Sequence, residues 1–107
     1  MRIFVTGGTG FIGGHVLNRL FECGHSVIAL TRNKSFQTRI ELCSQPSWVF
    51  SSFDGLQPSW FEGIDVVMHL AAHSANYPYD TLENCIQWNL SAPLQMLDLA
   101  CQAGVRK

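Results

Sequence analysis

Between Val5 and Val16 the chain reads VTGGTGFIGGHV, and five of its nine glycines fall in that stretch. Gly7, Gly10 and Gly13 have the spacing that can do chemistry. Set between a strand and a helix, such a turn offers free backbone N–H groups and the positive end of a helix dipole to the pyrophosphate of a dinucleotide. Gly7 would permit the tight turn, Gly10 would let the backbone approach the phosphates, and Gly13 would let the helix pack closely on the strand. Gly8 and Gly14 are extra to that pattern. A P-loop is excluded: Gly8 and Gly13 have its spacing, but Gly14 and His15 stand where Lys and Ser/Thr would have to meet phosphates and magnesium. The plain structural alternative is a glycine-rich turn with no ligand.

Which dinucleotide would bind is argued from the end of the next apolar run. NAD-preferring sites carry Asp or Glu about 20 residues after the glycines to hold the ribose hydroxyls. Thr31-Arg32 stands there instead. A carboxylate would repel a 2′-phosphate, whereas Arg32, helped by Lys34, could pair with one, so NADP is favoured with NAD as the alternative. The competing reading of Arg32 is a solvated loop residue beside Asn33 and Lys34. His69 and His73 have i, i+4 spacing, but on a strand and its following loop they share no face, and no metal site is expected. His69 reads as a core or hydrogen-bonded histidine. Cys23, Cys43, Cys85 and Cys101 contain no CxxC pair, and they read as buried thiols in a reducing cytoplasm.

These residues need elements to position them. RIFVT (2–6) and SVIALT (26–31) are continuous apolar runs suited to strands covered on both faces. Between them Phe11, Ile12, Val16, Leu17, Leu20 and Phe21 recur at helical spacing, with Gly24 as a stop. WVF (48–50) is a third strand candidate and DVVMHLA (65–71) a fourth, after a turn-rich stretch with Pro58 and Gly63. Leu82, Ile86, Leu90, Leu94, Leu97 and Cys101 form a stripe read as the core-packing face of a helix of about five turns, ending at Gly104. Pro93 cannot donate to the carbonyl of Asn89 and should kink that helix. The expected fold is α/β: an open parallel Rossmann-type sheet in the order 3-2-1-4, with flanking helices after each strand. Leu70, Ala71 and Ala72 should then reach the carboxyl edge of the sheet, where small side chains leave room for ribose and phosphates.

Composition limits the partners. Seven Lys and Arg against eight Asp and Glu give a net charge of -1 with no basic face, which argues against nucleic acid. The run Ile3 to Val5 is too short for a signal or membrane segment, so a cytoplasmic protein is expected. At 107 residues and 47% hydrophobic, the chain suits one domain or part of one.

The sequence resembles the extended short-chain dehydrogenase/reductases, the nucleotide-sugar epimerases, dehydratases and reductases. TGGTGFIG (6–13) is similar to their TGxxGFIG signature, DVVMHLAA (65–72) to their strand ending in HxAA, and NLSAPLQMLDLACQAGVRK (89–107) to the helix that follows. The resemblance implies cofactor contacts at Gly7, Gly10, Phe11, Ile12 and Gly13, at Leu70, Ala71 and Ala72, and at Asn89, which matches an asparagine that braces the active site. The family commonly has an Asp near the adenine after the third strand; WVFSSFD puts Ser52 there and Asp54 two residues later. It also implies a catalytic Tyr-x-x-x-Lys pair. Tyr77 is followed four positions on by Thr81 and Tyr79 by Glu83, so the chain has no catalytic residue of that kind. The expectation is that residues 1–107 are a partial dinucleotide-binding domain, ending before a fifth strand, with no second domain and inactive alone. A nucleotide sugar would be a partner only if the missing part were supplied, and a non-catalytic binding or redox-sensing module is the alternative. An unprotected fourth-strand edge at residues 66–70 would favour homo-oligomers or aggregation.

Overall fold

The computed structural model describes residues 1–107. Four parallel strands, β1 (Arg2–Thr6), β2 (Ser26–Thr31), β3 (Ser47–Phe50) and β4 (Val66–His69), form one sheet in the order β3-β2-β1-β4. β1 is central, with Ile3 opposite both Val27 and Val66 and Val5 opposite both Ala29 and Met68. Its residues Ile3 to Thr6 are buried, as the continuous apolar run requires of a strand covered on both faces. Alternation along β1 divides the core. Ile3 and Val5 pack with Val27 under Leu17 and Leu20 of helix α1 (Phe11–Glu22). Phe4 points the other way, into a cluster with Leu30, Phe61, Ile64, Met96 and Ala100.

Helix α1 ends where the sequence places its stop. Gly24 takes φ +77°, its N–H bonds the Phe21 carbonyl and the His25 N–H reaches back to Leu20, which closes the helix with a left-handed cap. The first turn of α1 departs from the apolar-stripe reading, because Phe11 and Ile12 are 59% and 68% exposed. The buried positions of that turn belong to Gly13 and Gly14.

No α-helix covers β2-to-β3 or β3-to-β4. Residues 33–46 are irregular, and the second connection holds two short 3₁₀ turns, Phe53–Gly55 and Pro58–Phe61. The second turn drives Phe61 into the core with its ring centroid 4.7 Å from that of Phe4, where it covers that face of the sheet together with Ile64, Met96 and Ala100.

The closing helix is built differently from the sequence reading. It runs through α2 (Leu82–Ile86), a π-turn at Gln87–Ser91 and α3 (Ala92–Gln102). Pro93 has no N–H for the Asn89 carbonyl, and the break takes the form of the π-turn, in which the Ala92 N–H bonds Gln87. The large stripe is not core: Leu82, Ile86, Leu90, Leu94 and Leu97 are exposed, as is Cys101. The buried face is Ala92, Pro93, Met96 and Ala100. Both faces repeat at about helical spacing, and small residues on the inner one let the helix lie close to the sheet. Three of the four cysteines are exposed and Cys85 is half-buried, and all are free thiols, contrary to the buried-core reading. The outer edge of β4 is partly paired, since the Val67 N–H donates to the Lys107 carbonyl at 2.8 Å. No helix is long and apolar enough to cross a membrane.

Candidate functional site

The glycine turn links β1 to α1 at the carboxyl end of the sheet. Gly7 is required twice over. Its φ is +77°, and a Cβ there would lie 2.6 Å from the Ala71 nitrogen and 2.7 Å from the Leu70 carbonyl carbon. Close approach of the β4 exit, and not only a tight turn, excludes a side chain. Gly13 is fixed by packing, because a Cβ would stand 2.0 Å from the Gly7 oxygen. Gly10 is different: its Cβ would meet only the Gly7 oxygen, at 3.4 Å. The protein itself leaves room at Gly10, so the missing side chain keeps space beside the turn free. Gly10 is also the N-cap of α1 and provides no side-chain acceptor, which leaves the first N–H groups, those of Phe11 and Ile12, for a ligand.

Thr6 joins this turn to β4. Its hydroxyl oxygen accepts from the Leu70 N–H at 3.2 Å and the Ala71 N–H at 3.3 Å, and lies 2.7 Å from His69 Nδ1. The Leu70 N–H is shared with the Thr6 carbonyl at 3.2 Å, and a hydroxyl that accepts these N–H groups is placed to give its one proton to Nδ1 of a neutral His69. Burial pushes the His69 pKa below the usual histidine value, which agrees with a neutral ring. Phe53 packs edge-on against it at 5.5 Å.

Above the turn lies a cavity of about 620 Å³. Of the sequence-derived candidates, Gly7, Gly10, Arg32, Leu70, Ala71 and Ala72 line it. Phe11, Ile12 and Gly13 are not among the lining residues. Asp54 does not reach the cavity; it accepts from the Ser52 hydroxyl within the first 3₁₀ turn, and its neighbour Phe53 lines the wall instead. Asn89 acts on the loop after β4, accepting the His73 N–H at 2.8 Å and donating to the His73 carbonyl at 2.9 Å. It braces the wall rather than lining it, and Trp88 beside it in the π-turn is the residue that faces in. Arg39, Phe36 and His73 also line the cavity, and no Asp or Glu does.

The loop after β4 is held by its own polar groups. His73 Nε2 pairs with Asp80 Oδ2 at 2.8 Å, while Asp80 Oδ1 accepts from the Thr81 N–H and from Asn84 Nδ2. Those donors, His73 first, hold the Asp80 carboxyl below its ordinary pKa. His69 and His73 thus have separate partners. Tyr77 and Tyr79 are exposed and lie outside the cavity.

A turn of unpaired N–H groups at the β1/β4 switch point, opening into a cavity with small walls, is suited to a phosphate-linked dinucleotide. UDP-glucuronic acid decarboxylase 1 of Arabidopsis thaliana is 34% identical over 99% of this chain and 25% of its own length. The structure of MoeE5 in complex with UDP-glucose and NAD superposes with a TM-score of 0.80 at 26% identity, over 98% of this chain and 34% of that one. A UDP-galactose 4-epimerase structure gives 0.76 at 34% identity, over 99% and 36%. The chain therefore spans about a quarter to a third of the length of these relatives. The sequence model of the NAD dependent epimerase/dehydratase family matches residues 3–107, and the chain belongs to that family.

Proposed function

We propose that residues 1–107 form the dinucleotide-binding unit of an oxidoreductase that acts on nucleotide sugars. The observation that carries this reading is Gly10, a position where the fold tolerates a side chain and the sequence has none, beside free N–H groups and an open cavity. The residues present fit a pyridine dinucleotide: the N–H groups at the start of α1 would hold the pyrophosphate, and Leu70 to Ala72 would leave room for the ribose. The bound cofactor would supply hydride transfer. Arg32 lines the cavity where a ribose-binding carboxylate would stand in an NAD site, which supports NADP over NAD. NAD and UDP-glucose bound to MoeE5 support the wider class of ligands.

Within these residues the chain's own role is to bind, orient and shield. The Thr6 hydroxyl locks the turn to β4, Asn89 fixes the loop that carries His73, and neither tyrosine has a lysine four residues on. Turnover therefore draws its proton-transferring group from outside residues 1–107, and the isolated chain should oxidise no NADPH with a UDP-sugar. The second reading, a non-catalytic binding module, is favoured only by the outward placement of Tyr77 and Tyr79. Three exposed free thiols suit a reducing cytoplasm. The unpaired part of the β4 edge and the exposed leucine face of α2 and α3 support self-association.

Trp88 provides the test, because it lines the cavity. NADPH should quench tryptophan emission and gain sensitised emission of its own, and Trp88→Phe should lower that transfer, with Trp48 and Trp60 supplying the remainder. Absence of any transfer at millimolar NADPH would count against the reading.

A further inference from the structure

The cavity has two ends. The glycine turn follows β1 in the middle of the sheet, so a ligand whose phosphates sit on that turn extends one way over β2 and the other way over β4. At the β4 end the wall is made of Ala72, His73, Ala75 and Trp88, and Trp88 is the largest side chain there. It precedes Ala92, the first buried residue of α3, by about one turn, and so continues the packed face of that helix into the cavity wall. Two features fix it in place. Pro93 imposes the π-turn that carries Trp88, and the neighbouring Asn89 holds the His73 backbone through two hydrogen bonds.

The faces of this indole have no partner. Trp88 belongs to none of the ring–ring pairs of the chain, and the cation–π contact of the chain is Lys34 over Phe50. A half-buried indole in the wall thus presents free π electrons to whatever enters that end. Charge decides what gains most from them. No Asp or Glu lines the cavity, and Asp80, the carboxylate of the adjoining loop, is taken up by His73, Thr81 and Asn84. A cationic ring held here meets no carboxylate, and the negative face of the indole is its counter-charge. A neutral ring of the same size gains contact area alone.

We propose that Trp88 is a specificity-determining residue that distinguishes the oxidised, cationic pyridinium ring of the dinucleotide from its neutral dihydropyridine form by stacking an indole face on it. This rests on the dinucleotide reading above. The attraction to the cation is lost when the ring is reduced, so the site holds the oxidised form more tightly by the amount that Trp88 supplies.

The experiment is titration of NAD⁺, NADH and ADP-ribose, which lacks the pyridine ring, into the whole chain and its Trp88→Leu and Trp88→Phe variants, with absorbance recorded alongside. Trp88→Leu should lower the NAD⁺/NADH affinity ratio by about threefold or more and leave ADP-ribose within about twofold. Trp88→Phe, which keeps a ring of weaker π face, should fall between wild type and Trp88→Leu. Stacking of indole on pyridinium should also add a broad charge-transfer absorption on the long-wavelength side of the tryptophan band with NAD⁺, missing with NADH and in Trp88→Leu. An equal loss of NAD⁺ and NADH in Trp88→Leu would reduce the indole to contact area and overturn the proposal. An unchanged ratio in both variants would also overturn it. A folded wild-type chain that takes up none of the three ligands would instead refute the underlying dinucleotide reading. Should Trp88→Leu lose its unfolding transition, the ratio in Trp88→Phe and the absorption band of the wild type decide the matter.

Discussion

Three glycines of one turn should respond very differently to alanine. At Gly7 the new Cβ enters a left-handed backbone, which costs about 1–2 kcal/mol for an L-residue. It also meets Leu70 and Ala71 backbone atoms at 2.6–2.9 Å, contacts that only separation of the turn from the β4 exit can relieve. A total loss of at least about 3 kcal/mol is expected, a large part of the roughly 5–15 kcal/mol that holds a domain together. At Gly13 the clash is closer, 2.0 Å from the Gly7 oxygen, but alanine recovers about 1 kcal/mol of helix propensity, so the net loss should be about 2 kcal/mol or more. At Gly10 the Cβ meets one atom at 3.4 Å in ordinary extended backbone, and the change should stay within about 1 kcal/mol. Urea unfolding followed by circular dichroism gives all three values. If Gly10→Ala destabilises as much as Gly7→Ala, then Gly10 serves the fold, and the argument that its bareness serves a ligand fails.

Other expectations follow from the same contacts. The His69 pKa is lowered by folding, so the unfolded chain binds the extra proton. This share of stability should be complete above the unfolded value near 6.5 and be lost as pH falls below it. The urea midpoint should therefore drop from about pH 7.5 to about pH 5.5, and His69→Asn, whose carbonyl can accept from Thr6 without titrating, should flatten that slope; an unchanged slope would contradict the lowering of the His69 pKa by burial. Met96→Ala should cost about 2–5 kcal/mol and Leu90→Ala less than about 1 kcal/mol, because the first is buried and the second is exposed; the reverse order would restore the leucine face to the core. Light scattering should show the chain self-associated at tens of micromolar, with Leu90→Glu shifting it toward monomer; a monomeric wild type would dismiss both the leucine face and the β4 edge as contacts.

Much of this architecture is legible in the residues. RIFVT and SVIALT are apolar without interruption because β1 and β2 are covered on both faces, and the observed bounds of these strands match those runs. The third and fourth strands differ from their sequence bounds only at the ends, where apolar residues such as Leu70 leave the ladder to enter the cavity wall. Periodicity could not choose between two apolar faces of the last helix. Side-chain size favoured the leucines, whereas close packing on the sheet selects Ala92, Met96 and Ala100. Chemical type alone does not say where a cysteine falls: Cys23 caps α1, Cys43 lies in the irregular segment after β2, and Cys101 sits on the outer face of α3. Arg39 had no signal at all: its position depends on a notch at Gly14 and an amide at Asn18, contacts between segments that share no pattern. Counting from β3 puts Asp54 near the site, but the 3₁₀ turn that begins at Phe53 puts Phe53 in the cavity wall instead.

The central claim is that the glycine turn binds a pyridine dinucleotide, and calorimetric titration of wild type and Gly10→Val reads it most directly. Wild type should bind both nucleotides, NADP⁺ the more tightly, and Gly10→Val should lose both while keeping its unfolding midpoint to within about 1 kcal/mol of stability. A folded wild-type chain that takes up neither at millimolar concentration, or a Gly10→Val variant that binds as well as wild type, would contradict the account.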